Sequence, residues 1–301
     1  MNTTEIVDVL IVGGSYAGLS AALVLGRALR QVVVLDSGLP CNRQTPHSHN
    51  FLTQDGSTPA ALAAVAREQV LAYPTVQLRH EAAVMAMGED NAFAVTTASG
   101  TVLHARKLLF ATGIRDLMPA LPGFAECWGI SAIHCPYCHG YEYREQPTGI
   151  LATGDTAVEM GLLIRNWTDK LTIFTDGPAA LLPAPRQQLA GRGIVVEETP
   201  VRQLLHHAGY LTHLELADGR TVALAALYAR LPFEQHCALP QALGCTHTAA
   251  GHLTVDNFQK TSVPGVYAAG DATSPMRAVG AAVAAGMMAG AMLNRELIFE
   301  A

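Results

Sequence analysis

The chain has 301 residues, 50% of them apolar and 15% charged, enough to bury one large core or two and too apolar for a disordered chain. Its formal charge of −6, with nineteen scattered Lys and Arg, leaves no basic footprint for nucleic acid. The amino terminus lacks the Lys/Arg-bearing start of an export leader, and the apolar runs Val7 to Val12 and Ala278 to Leu293 are too short, or too rich in Gly and Ala, to span a membrane. A cytoplasmic protein with small-molecule or protein partners is therefore expected. Six cysteines make a poor disulfide framework in a chain this long, whereas the close pair Cys135 and Cys138 points to redox catalysis or metal binding.

In chain order, Val7 to Val12 reads as a strand, Gly13-Gly14 as a break, Ala17 to Leu29 as a helix and Val32 to Leu35 as a second parallel strand ending at Asp36. That is a βαβ unit followed by an acid. A second copy is expected in Gly149 to Ala152 (strand), Gly154 to Ala157 (turn), Val158 to Asn166 (helix) and Leu171 to Phe174 (strand). Pro119, Pro122 and Gly123 read as a linker, and Leu231-Pro232 with Pro240 as the return linker. Gly265 to Ala269 is strand-like and precedes Gly270-Asp271 and a long helix of small residues. The expected fold is α/β, with two Rossmann-like, three-layer ββα nucleotide-binding domains, the second inserted into the first. The boundaries are set at 1–116 with 242–301 for the first domain and 117–241 for the second.

A dinucleotide turn needs one glycine for the tight turn, one for backbone approach to the pyrophosphate and one for helix–strand packing. Gly13, Ser15 and Gly18 stand at those positions, so two of three match, and Ser15 adds a hydroxyl that can reach a phosphate oxygen. The helix N-terminus supplies N–H donors and a favourable dipole, and Asp36 is spaced to accept from a ribose hydroxyl. The competing reading is a Gly-rich turn of some other α/β protein.

Gly13-Gly14-Ser15-Tyr16-Ala17-Gly18, Ala111-Thr112-Gly113, the Cys135/Cys138 pair and Ala269-Gly270-Asp271-Ala272 occur in the order and spacing of the low-molecular-weight thioredoxin reductases, which the chain resembles over nearly its whole length. The run Cys135-Pro136-Tyr137-Cys138-His139-Gly140-Tyr141-Glu142 is similar to a narrower subgroup that includes dithiol oxidases of the gliotoxin and holomycin type, with His where true thioredoxin reductases carry Asp. The resemblance implies FAD in the discontinuous domain, the cysteine pair in the inserted one, and a homodimer. It further implies that Gly13, Gly14, Ser15, Ala17 and Gly18 hold the pyrophosphate, that Asp36 takes the adenosine ribose, and that Ser37 belongs to the same cofactor site. Ala111, Thr112 and Gly113 belong to the same cofactor site. Asp271 would bind the ribityl or pyrophosphate, with Gly270 in the same cofactor site, and the helix entered near Met276, Arg277 and Ala278 would point its N-terminus at the isoalloxazine, favouring charge on the reduced ring. Asn42, Arg43 and the loop His47 to Asp55, which includes His49, would lie along the cofactor. Each of these polar residues has the alternative of a solvated loop.

Thiol–disulfide exchange needs a thiolate and a nearby second thiol, which Cys135 and Cys138 at a helix start provide. His134 and His139 flank them, and His139 is the favoured proton acceptor and donor because it replaces the family's acid. By the resemblance, Cys138 is nearer the flavin and Cys135 attacks the external disulfide. The competing readings are a zinc site completed by Cys237, Cys245, His236 or His247, or a buried structural pair, but no metal is expected. Cys41 and Cys127 read as small buried side chains.

The second turn, Ala152-Thr153-Gly154-Asp155-Thr156-Ala157, keeps only the middle glycine, and Phe174-Thr175-Asp176-Gly177 stands where NADPH-dependent relatives carry a His-Arg-Arg clamp for the 2′-phosphate. NADPH is therefore disfavoured, leaving NADH, another reductant or no nucleotide. The leading reading is an FAD-dependent disulfide oxidoreductase of thioredoxin reductase type, acting with a thioredoxin-like protein or a small disulfide. The alternatives are a dithiol oxidase passing electrons to oxygen, and a flavin redox sensor without turnover.

Overall fold

A run of Val, Ile and Leu broken by one Asp, Ile6–Val12, makes the first strand (β1) of the computed structural model, which describes residues 6–299. It is followed by α1 (Tyr16–Arg27), β2 (Val32–Leu35), α2 (Pro59–Leu71), β3 (Val76–Arg79), β4 (Ala83–Met87), β5 (Phe93–Thr97), β6 (Val102–Phe110) and β7 (Ile114–Asp116). Next come α3 (Phe124–Cys127), β8 (Ala132–Ile133), α4 (Pro136–His139), β9 (Thr148–Leu151), α5 (Gly154–Ile164), β10 (Leu171–Phe174), α6 (Pro183–Gly191) and β11 (Val195–Glu197). The chain ends with β12 (Val201–His207), β13 (Tyr210–Leu216), β14 (Thr221–Ala223), β15 (Ala226–Ala229), β16 (Phe233–Gln235), α7 (Leu239–Ala242), β17 (Val266–Ala268) and α8 (Val279–Phe299). It divides into two compact units: unit 1 comprises residues 6–43, 50–115 and 233–299, and unit 2 comprises 44–49 and 116–232.

Unit 1 is built on a seven-stranded sheet in which β3, β2, β1 and β6 run parallel. β5 and β4 extend it antiparallel. β6 is long enough to take β5 along residues 102 to 105 and β17 along 108 to 110 on the same edge. All four residues of β2 are buried, as befits a central parallel strand covered on both faces. One face packs on α1 and α8, and the other on a cluster that includes Phe93, Val95, Cys245 and Leu253. α8 lies close on α1 because Gly286 and Gly290 have no side chains: a Cβ at Gly286 would stand 2.0 Å from the Ala17 carbonyl oxygen, and one at Gly290 2.8 Å from that of Ala21. The end of α8 is fastened by Glu296. Its carboxylate accepts from Lys107 Nζ (2.9 Å), Lys260 Nζ (2.8 Å) and the Tyr267 hydroxyl (2.5 Å), and Lys107, 0% exposed, also donates to Asp90 at 2.7 Å.

Unit 2 holds a five-stranded parallel sheet, β11-β10-β9-β15-β8, and an antiparallel sheet, β12-β13-β14. The expected strand Leu171 to Phe174 is found at those bounds, and the neighbouring strand shifts by one residue to Thr148–Leu151. Two details differ from the sequence reading. Gly154 to Ala157 is not a turn but the first turn of α5, and Pro240 is not in a linker but near the start of α7 in unit 1. Residues 233–241 thus cluster with unit 1, because β16 pairs with β7 and α7 packs beside β4. Among the described residues, no helix is long and apolar enough to cross a membrane.

Candidate functional site

The turn between β1 and α1 is shaped by contacts that only glycine permits. Gly13, at φ +111°, donates its N–H to the Leu35 carbonyl at 2.8 Å, and a Cβ there would stand 2.2 Å from the Ala111 oxygen. A Cβ at Gly18 would be 1.8 Å from the Gly13 oxygen, so the helix can enter this close to the strand only without a side chain. Gly14 faces Asp36, whose Cβ would be 2.7 Å from an added methyl group. Above the turn opens a cleft of about 410 Å³, lined by Gly13, Gly14, Ser15, Asp36, Ser37, Asn42, Arg43, Ala111 and Thr112 among others. Nine of the expected cofactor residues therefore meet on one concave surface at the N-terminus of α1, where backbone donors and the helix dipole favour a phosphate.

Several polar groups there are left over for a ligand. Ser15 is the N-cap of α1 by backbone conformation, yet its hydroxyl makes no capping bond. The Thr112 hydroxyl and the Arg67 Nε are buried without a hydrogen-bond partner, a state that costs free energy unless something polar fills the cleft. These features fit a dinucleotide such as FAD.

The remaining expected cofactor residues lie around this surface rather than on it. Ala17 and Gly18 form the packed underside of the turn, and the Gly270 Cα faces the Ala17 methyl. Gly113 accepts the His236 N–H at 3.3 Å. Asp271 accepts from the Cys41 thiol at 3.7 Å and lies 3.9 Å from Arg277, and the Ala278 N–H bonds the Met276 carbonyl just ahead of α8. His49 belongs to unit 2, where it meets Glu142 and His139. Cys127 is buried as expected, but Cys41 is exposed.

Arg67 was not singled out from the sequence. Its Nη2 lies 3.4 Å from Asp36 Oδ2, and it lines the cleft with Pro59, Ala60 and Ala63 from the same helix. The signal was available as a face of small residues recurring at helical spacing and ending in one arginine. Cys237 also lines the cleft, and burial pushes its thiol up, away from reactivity.

In unit 2, Cys135 is the N-cap of α4 and Pro136 its first residue, a position where the missing N–H costs nothing. The Cys138 N–H points at Cys135 Sγ, 3.3 Å away, which favours the thiolate at Cys135. Gly140 lets the turn settle on the Trp167 ring, 2.9 Å from where a Cβ would be, and Tyr137 meets the same ring edge-on at 5.6 Å. His139 is half-buried, and burial pulls its pKa down; the Glu142 carboxylate pushes it up and His49 pushes it down again. Burial raises the Tyr228 phenol on β15, with Cys135 and Cys138 adding to the shift. Tyr143 is raised to about 12, chiefly by burial, and donates to the Ile130 carbonyl at 2.8 Å. Among the described residues, no group of three or more His, Cys, Asp or Glu is placed to hold a metal.

The second βα turn is filled by its own chain. The Gly154 N–H and the Thr153 hydroxyl both donate to the Ala179 carbonyl, at 3.1 and 2.8 Å. Asp176, at φ +51°, accepts the Val201 N–H at 2.8 Å.

A flavin-type dinucleotide cradle in one unit and a two-cysteine helix start in the other define an oxidoreductase of the disulfide-reductase class. The chain belongs to the pyridine nucleotide-disulphide oxidoreductase family, whose model matches residues 7–289, and membership implies FAD binding. More particularly, it is an enzyme of thioredoxin reductase-like type. It is 33% identical to thioredoxin reductase sirT of Leptosphaeria maculans over 96% of this chain and 94% of the relative. The crystal structure of an oxidoreductase from Agrobacterium tumefaciens superposes with a TM-score of 0.93 at 37% identity, covering 99% of this chain and 100% of the other. That of HlmI gives 0.92 at 37% identity, covering 98% and 93%.

Proposed function

We propose that the protein is an FAD-dependent thiol–disulfide oxidoreductase in which Cys135 and Cys138 alternate between dithiol and disulfide. The observation that carries this reading is the Cys138 N–H on Cys135 Sγ, with His139 the next residue of the same helix. Cys135, favoured as thiolate, is the sulfur that exchanges with the substrate. Cys138 resolves the mixed disulfide, and His139 accepts or returns the proton of whichever thiol is forming or leaving. FAD, when bound, supplies the two-electron acceptor or donor. Asp36, Arg67, Ser15 and Thr112 would hold its adenosine and pyrophosphate parts. The substrate is a small dithiol or disulfide or a thioredoxin-like protein, and by analogy with the family the enzyme is a cytoplasmic homodimer. Anaerobic addition of dithiothreitol to the purified protein should bleach the flavin absorbance. Cys135→Ser and Cys138→Ser should each abolish the bleaching, and bleaching that persists in both variants would refute the assignment.

A second observation favours one direction of flow. With Ala179 occupying the Gly154 N–H and the Thr153 hydroxyl at the N-terminus of α5 and Asp176 in place of a basic clamp, the second turn offers less to a dinucleotide phosphate than the first. This supports electrons entering from a dithiol and leaving to oxygen rather than arriving from NADPH. Dithiol-dependent peroxide formation without NAD(P)H is the expected result, and rapid NADPH oxidation with a disulfide acceptor would reverse the direction.

A further inference from the structure

Residues 44–49 are flanked on both sides by chain belonging to unit 1, yet they cluster with unit 2. At the end of this segment, His49 Nε2 stands 3.5 Å from Glu142 Oε1. Its ring lies 6.4 Å from that of His139, the two planes at 87°, and the His47 ring lies 6.5 Å beyond it. A distant loop thus brings an imidazole beside His139 and within 3.5 Å of the carboxylate that follows His139 by three residues.

We propose that His49 and Glu142 are positioning residues for His139, an opposed pair that together set the charge state of the imidazole serving the cysteine pair. The inference rests on the reading of Cys135 and Cys138 as the reacting thiols. Glu142 favours the imidazolium form of His139, and His49 opposes it. Burial is the largest influence on His139, Glu142 opposes it and His49 adds to it, so the pKa lies below the ordinary value and the neutral ring, with a lone pair available, prevails near pH 7. In the step it serves, the S–H bond of a thiol breaks, the electron pair stays on sulfur and the proton forms a new N–H on the imidazole; the reverse step returns it. The side chains of His49 and Glu142 are 20% and 39% exposed, so this pair is where the cluster meets water. The other titratable or charged groups around the turn include His134, Cys135, Tyr137 and Cys138, Tyr228 on β15, Tyr143, and Arg144, whose guanidinium stacks 4.0 Å over Tyr141.

The test is a titration of the flavin-loaded protein carrying ¹³C-labelled histidine, followed by NMR, with the His139 signal identified by its loss in His139→Gln. His49→Gln should raise the His139 midpoint by about half a pH unit or more, Glu142→Gln should lower it by a similar amount, and the double variant should return toward the wild type. Iodoacetamide alkylation of Cys135 and Cys138 should show its pH profile moving in the same directions, which a merely structural role would not produce. Midpoints unmoved in both single variants, or moving the same way in both, would overturn the proposal. Dithiol turnover is a separate measurement: the predicted shifts without any turnover would sink the functional reading and leave the pair standing, and turnover with unmoved midpoints would do the reverse.

Discussion

Both units begin a helix immediately after a parallel strand, and they differ in what meets the helix N-terminus. In unit 1 the Ser15 hydroxyl makes no capping bond, the Thr112 hydroxyl and Arg67 Nε are buried without partners, and a 410 Å³ cleft stands open beside them. In unit 2 the corresponding donors, Gly154 N–H and Thr153 hydroxyl, are both spent on the Ala179 carbonyl. An anion site needs donors that the protein itself leaves unsatisfied. The same topology that makes a ligand cradle in one unit becomes ordinary internal structure in the other once a loop supplies an acceptor.

The sharpest way to break this contrast is Gly18→Ala. The new methyl would stand 1.8 Å from the Gly13 oxygen, and backbone cannot yield that distance without opening the turn. The variant should be isolated with about tenfold less bound flavin than the wild type, read from the visible absorbance, since even about 1.4 kcal/mol of lost binding has that effect. A fully flavinated Gly18→Ala would show that the cradle is not the cofactor site.

Next in size is the fastening of α8, the helix that supports α1 behind the open turn and for which unit 2 has no counterpart of the same length. Glu296→Ala removes an anionic partner of the fully buried Lys107 and should cost about 3 kcal/mol, measured by urea denaturation. Burial alone would raise the Glu296 carboxyl, but hydrogen bonds from Lys260, Tyr267 and Lys107 outweigh it and hold the pKa at about 2, against an ordinary 4.5. A depressed carboxylate stabilises the fold in full above its unfolded value and loses that contribution as pH falls through the folded one. Wild-type stability should therefore decline between about pH 4.5 and pH 2, with a shallower slope in Glu296→Ala.

Much of this contrast is legible in the residues. Gly13, Gly18 and Asp36 announce the first cradle because each place demands a particular size or charge, and Ala152 with Asp176 announces that the second turn is altered. What replaces the ligand is not legible, because Ala179 acts through its backbone carbonyl and any residue could supply one. His49 was read as part of the cofactor loop since nothing local marks that segment as clustering with unit 2; its proximity to Glu142 is a long-range contact of about ninety residues. Arg67 lies between these cases. Arg67→Gln removes a guanidinium from the open cleft while keeping the helix, and should weaken FAD about tenfold in a fluorescence titration, as expected for a charge-assisted hydrogen bond. Unchanged affinity would mean that Arg67 serves Asp36 alone.

The smallest effect is expected in the closed turn. Gly154 has φ +58°, and an added Cβ there would meet nothing within 4 Å, so Gly154→Ala carries only the left-handed backbone cost of about 1 kcal/mol. In a chain of this size that lowers Tm by about 2–4 °C. Flavin content and dithiol-dependent bleaching should match the wild type, since neither uses this turn. Calorimetric titration with NADPH should show no saturable binding below about 1 mM in either protein. If the wild type binds NADPH more tightly than that and Gly154→Ala weakens it, the Ala179 carbonyl must be displaced by the nucleotide. The second turn would then be a gated site rather than a filled one, and the difference between the two units would be one of occupancy instead of chemistry.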